Sequence, residues 1–568
     1  MKLSVIKFIS LYMMVFLLGV AQTKSQSLPI HQIQEEQFKI HSLLDDSLRY
    51  ALINRPYSYQ NYLNSFESAN NQTITSNSWW SRPLLNSQLT VTDDIRIGLQ
   101  PVTLQNTLNT RLPYGENNEA AWYGRGNTTE LSGGVYVTSD YFTIHLNPKF
   151  VYVQNQDFLR SRFIRRDSDG NPLYEPENLG PAFDNPFRFG PDSFSTFDLG
   201  YSSIRFHYKD FETGISTEPL WWGPVNRYPL IMSNNAPGIP HAFIGTRNPV
   251  SIPYLGHIQM QWIMGYPRES DYYDGAGAGE TRFTNALNFA YSPVIFPNLT
   301  IGLTRVFHLY EEDGFHFSNV TRMFDPFSRS RVVRTQGDDE IRQDRNQTAS
   351  AYFHLQLPEA NAEIYAEYYR EDHSYDFRDF INQPHHNSGY AFGFQKISYV
   401  PLVEFIKTNL EITNLTTSQL RQVRHQTFFY THSRIRQGHT NRGQILGAAI
   451  GPGSNSQFFG LDAYQSDYKF GFFVQRVVDN DNFHFREGSA SLSPTEFGDY
   501  FRHRVDLNVG LNFLYGPGPF YLNSRLVWTK AYNYGRFDYG EFEGVTVRNY
   551  DRNDRTNIQF QIGITYIL

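Results

Sequence analysis

From about residue 85 onward, apolar positions recur at every second residue. In 504–515 (RVDLNVGLNFLY), Val505, Leu507, Val509, Leu511, Phe513 and Tyr515 share one face. Arg504, Asp506, Asn508, Gly510 and Asn512 share the other. A period of two predicts a β-strand with its side chains alternating between two faces. One face is apolar, and the other carries charges and amides. That suits a strand between lipid and a polar lumen better than a strand in a sandwich core. Residues 347–371 read as a hairpin. Ala351, Phe353, Leu355 and Leu357 alternate with polar residues, Pro358-Glu359-Ala360-Asn361 turns the chain, and Ile364 and Ala366 then alternate with Glu363 and Glu367. The last residues, NIQFQIGITYIL, place Ile558, Phe560, Ile562, Ile564, Tyr566 and Leu568 on one face. A closing strand of a barrel needs this pattern, although the commonest outer-membrane ending is aromatic where Leu568 stands.

The connections alternate as well. Short turns fall at 293–298, 358–361, 401–403, 465–467 and 516–519, and long polar loops at 310–346, 372–388, 481–500 and 535–552. Short turns at one end and long loops at the other predict an all-β transmembrane barrel with the long loops outside the cell. Counting candidate strands and requiring an even number gives roughly eighteen, antiparallel throughout. Residues 29–76 follow a different pattern. Ile33, Phe38, Ile40, Leu43, Leu44 and Leu48 stand near helical spacing, which predicts a small periplasmic helical segment ahead of the barrel at 85–568.

The N-terminus reads as a signal peptide over 1–21. Lys2 and Lys7 precede the apolar run Phe8–Val20, and small residues stand at the cleavage spacing. That run is short for a membrane helix, and no later apolar run is long enough for one. Composition agrees with a barrel. Aromatics are 16% of the 568 residues, with 38 Tyr and 46 Phe, yet the mean hydropathy is −0.48. Aromatic girdles around a polar lumen reconcile the two. A net charge of −7 argues against a nucleic-acid partner, and the absence of cysteine suits an oxidising compartment. The cell outer membrane of a Gram-negative bacterium is the expected location, with outer-membrane lipid as a partner.

One segment breaks the alternation. Ser216–Ile244 reads STEPLWWGPVNRYPLIMSNNAPGIPHAFI. Pro219, Pro224, Pro229 and Pro237 exclude a ladder strand, while Trp221, Trp222, Tyr228 and Ile231 are too apolar to hang in water. A wide barrel has a lumen to fill, and irregular backbone is tolerated at membrane depth where protein buries it. The segment is expected to fold inward.

Trp222-Gly223-Pro224, followed by Leu230-Ile231-Met232-Ser233-Asn234-Asn235-Ala236-Pro237, resembles the signature of the Wzi capsule-assembly family. Tyr430–Ser456 (YTHSRIRQGHTNRGQILGAAIGPGSNS) is similar to a second family stretch through Gly443, Leu446-Gly447, Ile450-Gly451-Pro452 and Ser454. Val225 stands where the family pattern leads one to expect Gly. The resemblance spans most of the chain after the signal. It implies an eighteen-stranded barrel lectin with a periplasmic helical bundle, occluded by loops. Such a protein binds capsular polysaccharide at the outer surface and is not the export channel, although capsule-export machinery is a conceivable partner. A porin-like channel for sugars or other solutes is the alternative, and an outer-membrane hydrolase using Ser454 or His432 is a further one.

Sugar recognition needs flat apolar faces beside amides and Arg forks. Trp221, Trp222, Asn226, Arg227, Asn234 and Asn235 supply these together, although the same residues serve equally well to pack an inward loop and cap its backbone. Loop 156–196 is a second candidate, with Tyr174, Phe183, Phe187 and Arg188. Asp167, Asp169 and Asn171 open like a calcium loop, but Pro172 stands where that loop needs Gly. No cofactor, metal or catalytic constellation is expected. Glu363, Glu367, Arg504 and Asp506 are expected to face the lumen.

Overall fold

The computed structural model describes residues 31–44, 53–69, 78–85, 87–92, 94–159, 183–275, 277–311, 317–324, 345–371, 377–417, 428–432, 434–480, 503–534, 540–542, 545–547 and 554–567. The proposed signal peptide, Tyr174, Asp167, Asp169, Asn171 and Leu568 lie outside them.

The two-residue alternation becomes one antiparallel sheet of 24 strand segments. Some segments are halves of one bent strand. Arg96–Leu99 pairs with Val135–Thr138, while its continuation Val102–Asn109 pairs with Gly126–Ser132. The segments therefore outnumber the crossings of the wall. Arg555–Tyr566 closes the circuit, pairing with Phe520–Tyr532 on one side and Val102–Asn109 on the other. Among the described residues the long wall strands are paired on both sides, which is the condition for a sheet to span a membrane. On this strand Ile558, Phe560, Ile562 and Ile564 are exposed, whereas Asn557 and Gln559 are buried in the lumen wall. Among the described residues no helix is long and apolar enough to cross a membrane.

Tight turns join Arg282–Pro293 to Leu299–Tyr310, Arg345–Leu357 to Ala362–Glu371, Ser388–Val400 to Val403–Asn414, Asn455–Tyr464 to Tyr468–Val478, and Val505–Tyr515 to Phe520–Tyr532. The opposite ends of these strands carry the long connections, so that end faces the outside of the cell.

Two helices precede the wall, α1 (Gln32–Leu44) and α2 (Tyr59–Ala69). Helix α1 sits in the mouth at the tight-turn end. Ile33, Ile40 and Leu43 pack with Trp79, Leu84, Ile397, Phe405, Tyr464, Leu514, Tyr521 and Ile567. Part of its polar side is buried too. Gln34 Nε2 donates to Leu84 O at 2.9 Å, and a ring nitrogen of His41 lies 3.0 Å from Trp80 O. Gln32 is exposed and Glu35, Glu36 and Lys39 are only half-buried, so the helix is a stopper whose apolar side and part of whose polar side are covered by protein.

Candidate functional site

The lumen is filled by chain. Leu220, Trp222, Val225, Tyr228, Leu230, Ile231, Met232, Ala236 and Ile239 form one core with Phe429, Tyr430, Ile445, Leu446 and Ala448 and with wall residues such as Tyr365 and Tyr369. The two stretches that resemble the family signature are thus packed against each other. Ser233 N donates to Leu446 O at 2.7 Å, and Ser233 Oγ to Gly447 O at 2.6 Å. Asn235 Nδ2 donates to Ile445 O at 3.0 Å, and Gln444 Nε2 returns a bond to Asn235 O at 2.9 Å. Tyr430 Oη donates to Leu230 O at 2.8 Å. Irregular backbone cannot be buried with its polar groups unpaired, and each stretch pairs the other's.

The wall supplies the remaining acceptors. Glu411 Oε2 accepts the N–H groups of Asn226 and Arg227, both at 3.1 Å, and Oε1 accepts that of Tyr228 at 3.0 Å. Glu367 Oε2 takes the N–H of Leu230 at 2.9 Å, and Glu371 Oε2 that of Tyr430 at 3.0 Å. Glu363 Oε1 accepts from Asn226 Nδ2 at 3.1 Å. Residues 363, 367 and 371 share the lumen face of one strand because spacings of four keep the same side. Arg282 on the wall donates to Gly438 O at 3.0 Å and Thr440 O at 3.2 Å. Three successive N–H groups on one carboxylate form a charge-assisted clamp, stronger than neutral bonds.

A hydrogen-bonded chain of side chains runs through the plug. His439 Nε2 lies 2.6 Å from Ile231 O, so it carries the proton and leaves Nδ1 to accept from His308 Nε2 at 2.7 Å. His308 Nδ1 then accepts the Thr284 hydroxyl, also at 2.7 Å. Burial, aided by nearby Arg282, holds the His439 pKa down to about 4.

The candidate sugar residues all lie in this plug. Trp222 is 1% exposed and Trp221 8%, so neither offers a face to a ligand. Trp222 Nε1 donates to Gln261 Oε1 at 2.6 Å, and Trp221 Nε1 to Val225 O at 2.8 Å. The residues just before α2 reach in beneath them. Asn54–Arg55 pairs with Trp221–Trp222, and the Arg55 guanidinium lies 4.8 Å from the Trp221 ring centroid. Arg227 bonds Glu116 Oε2 at 2.5 Å and stacks over Phe458 at 4.2 Å. Asn234 O accepts the Glu119 N–H at 2.8 Å. Together with Asn226 and Asn235, these residues are committed to tying the plug. Val225 is fully buried, and the turn's left-handed residue is Gly223, with φ +88°.

The second candidate loop divides. Phe183 belongs to the plug core. Arg188 is tied to Asn155 O at 2.7 Å and to the Asp157 carboxylate at 2.9 Å. Phe187 is 38% exposed. Phe189, two residues on and one of the same loop's interleaved aromatics, joins the half-buried Trp122 and the exposed Tyr272, two rings that the sequence-based candidates lacked. The Phe189 centroid is 5.4 Å from Trp122 and 5.9 Å, edge-on, from Tyr272, which is 40% exposed. Three different outer loops, 109–126, 153–194 and 265–282, bring these rings together. Gly443 closes against Phe189 from the plug. Its φ is +79°, and a Cβ there would sit 3.0 Å from the Phe189 ring.

The proposed hydrolase pair is occupied by backbone. Ser454 Oγ accepts the Asn480 N–H at 2.9 Å, and His432 Nδ1 accepts those of Arg434 and Ile435, both at 3.2 Å. Arg504 and Asp506 pair at 2.6 Å beside Asp479.

Comparison with known proteins agrees with the geometry. The family model described as capsule assembly protein Wzi matches residues 103–487. A solved structure, Wzi of Escherichia coli, is described as an outer-membrane protein involved in group 1 capsule assembly and a carbohydrate-binding β-barrel. It aligns at 12% identity and TM-score 0.59, over 96% of this chain and 99% of that one. A BenF-like porin from Pseudomonas fluorescens Pf-5 aligns at 10% identity and TM-score 0.38, over 84% of this chain and 99% of its own. OprD of Pseudomonas aeruginosa aligns at 10% and 0.37, over 85% and 97%. No curated protein matches. With most of its length matched by the family model, and a closed barrel plugged by both signature stretches, the chain belongs to the Wzi capsule-assembly family of outer-membrane proteins.

Proposed function

We propose that this barrel binds surface polysaccharide on its outward loops and supports capsule assembly or attachment, without chemical turnover. The observation that carries the reading is the aromatic cluster of Trp122, Phe189 and Tyr272, which stands outside a lumen closed by protein. Aromatic faces stack on the CH-rich faces of sugars, and the Asp157 carboxylate, 70% exposed, offers an acceptor for hydroxyls nearby. The Escherichia coli relative is described as carbohydrate-binding and as acting in capsule assembly, which supports the same ligand class here. The filled lumen weighs against a diffusion channel. The backbone commitments of Ser454 and His432 weigh against a hydrolase built on them. Contact with capsule-export machinery belongs to the same proposal.

The test compares cell-attached with released polysaccharide in a deletion strain. Polymer is expected to move from cells to medium, wild-type protein to restore attachment, and the W122A/Y272A variant to insert in the membrane without restoring it. An unchanged distribution in the deletion strain overturns the capsule role.

A further inference from the structure

The plug leaves a small cleft on the tight-turn side, between the wall and the start of α2. It is lined by Arg55, Ser58 and Asn61 from the N-terminal segment and by Arg205, Glu212 and Arg247 from the wall. The space open to water-sized groups is about 50 Å³. That is several water volumes, enough for a carboxylate and one hydroxyl but not for a whole sugar ring.

The wall's two arginines differ sharply. Arg205 Nη1 bonds Glu212 Oε1 at 2.6 Å, and its Nη2 bonds Glu218. Arg247 is 7% exposed, yet among the described residues its guanidinium makes neither a hydrogen bond nor an ion pair, and Nε and Nη1 are buried without a partner. The carboxylates of Asp140, Asp210 and Glu212 are near enough to act on it through space only. Glu212 Oε2, in the same cleft, is also buried without a partner. A buried cation with no bonded partner is strongly destabilising, and native structures rarely keep one without a use. The cleft therefore holds an unspent donor set and an unspent acceptor side by side.

We propose that this cleft takes the acidic edge of a sugar unit, with its carboxylate on Arg247 and an adjacent hydroxyl donating to Glu212. A lone anion does not need the carboxylate acceptor, and a neutral sugar does not need the guanidinium. A sugar acid uses both. Naming a sugar rests on the polysaccharide reading above, but the anion site does not. The cleft lies toward the tight-turn end, away from the aromatic cluster, so it would meet sugar units on the periplasmic side of the plug, separately from polymer held at the outer loops.

The experiment is calorimetric titration of the full chain in detergent with a glucuronate oligosaccharide, an uncharged maltooligosaccharide and inorganic phosphate. Wild-type protein is expected to bind the glucuronate oligomer, and R247Q to bind it at least about tenfold more weakly. R247K, which keeps the charge but loses the fork, is expected to fall between them. R247Q should melt no lower than wild type, because it removes an unpaired buried cation. Unchanged affinity in R247Q overturns the site. Phosphate competing as well as the sugar acid overturns the sugar assignment and leaves a small-oxyanion site. W122A/Y272A is expected to keep the Arg247-dependent component. Arg247-dependent binding in a protein whose deletion releases no polymer overturns the surface role alone.

Discussion

Glu411, on the barrel wall, accepts the backbone N–H of Tyr228 at 3.0 Å through one carboxylate oxygen, while the other holds the two preceding N–H groups. The wall and the plug are joined here by a charge and not by packing alone. Glu411→Ala leaves three buried N–H groups without acceptors, a cost of about 1–3 kcal/mol for each group left unpaired. The strands do not depend on this bond. The variant is expected to form a barrel with faster amide exchange over 226–230 and measurable conductance in planar bilayers. Wild-type silence and wild-type exchange would show that packing alone seats the plug.

Trp222→Ala tests the packing. The ring is fully buried in the shared core, and aromatic-to-alanine changes in cores cost about 3–5 kcal/mol. A lower melting transition with an intact sheet signal by circular dichroism is expected. Tyr272→Ala, at the exposed cluster, should melt like wild type and affect glycan binding only.

The latch at His439 makes the plug sensitive to acid. Its folded-state pKa, about 4, lies below the ordinary histidine value, so the neutral ring is the one the fold accepts. Its contribution is fully present above about pH 6.5 and is lost as pH falls toward 4, on the order of 3 kcal/mol in all. Protection of the amides over 430–456, taken relative to the free-peptide exchange rate at each pH, should fall between pH 7 and 5. A flat pH dependence counts against the latch, and His439→Gln should flatten it.

Helix α1 shows a linkage of the same sign, with the charged form favoured instead of the neutral one. Burial works to raise the Glu36 carboxyl, but Lys407 at 2.8 Å and Lys469 at 3.5 Å outweigh it, leaving the pKa well below the usual carboxylate range. This anchor is complete above about pH 4.5 and fades as pH falls through the lowered value. Glu36→Gln should release α1 to limited proteolysis at neutral pH, with the barrel core resistant. Unchanged cleavage would assign the anchoring to the apolar contacts of Ile33, Ile40 and Leu43.

The wall was legible in the chain because a strand's period is local. Val505 to Tyr515 announces two faces within eleven residues, and turns such as 358–361 announce the end that carries them. The inward course holds for 217–240, whose prolines forbid a strand and whose tryptophans forbid open water, but not for the ends of 216–244, because Ser216 and His241–Ile244 belong to paired wall strands. The alternation also placed Glu363 and Glu367 in the lumen. What they hold there was not legible, because their partners at Asn226 and Leu230 lie more than a hundred residues away in sequence. The same limit applies to the tryptophans. Residue type says that an aromatic face needs covering, but whether sugar or protein covers it depends on where Asn54–Arg55 and 430–456 come to rest. The outward cluster drew Trp122, Phe189 and Tyr272 from three loops with no shared motif.

The sequence by itself determined the closed, lipid-facing barrel and the segment that fills it, since both follow from periodicity and from residues that cannot join a ladder. Only the tertiary structure decided which side chains are spent on the plug and which remain for a ligand. Burial and pairing are properties of what surrounds a residue, and here the surroundings come from distant parts of the chain.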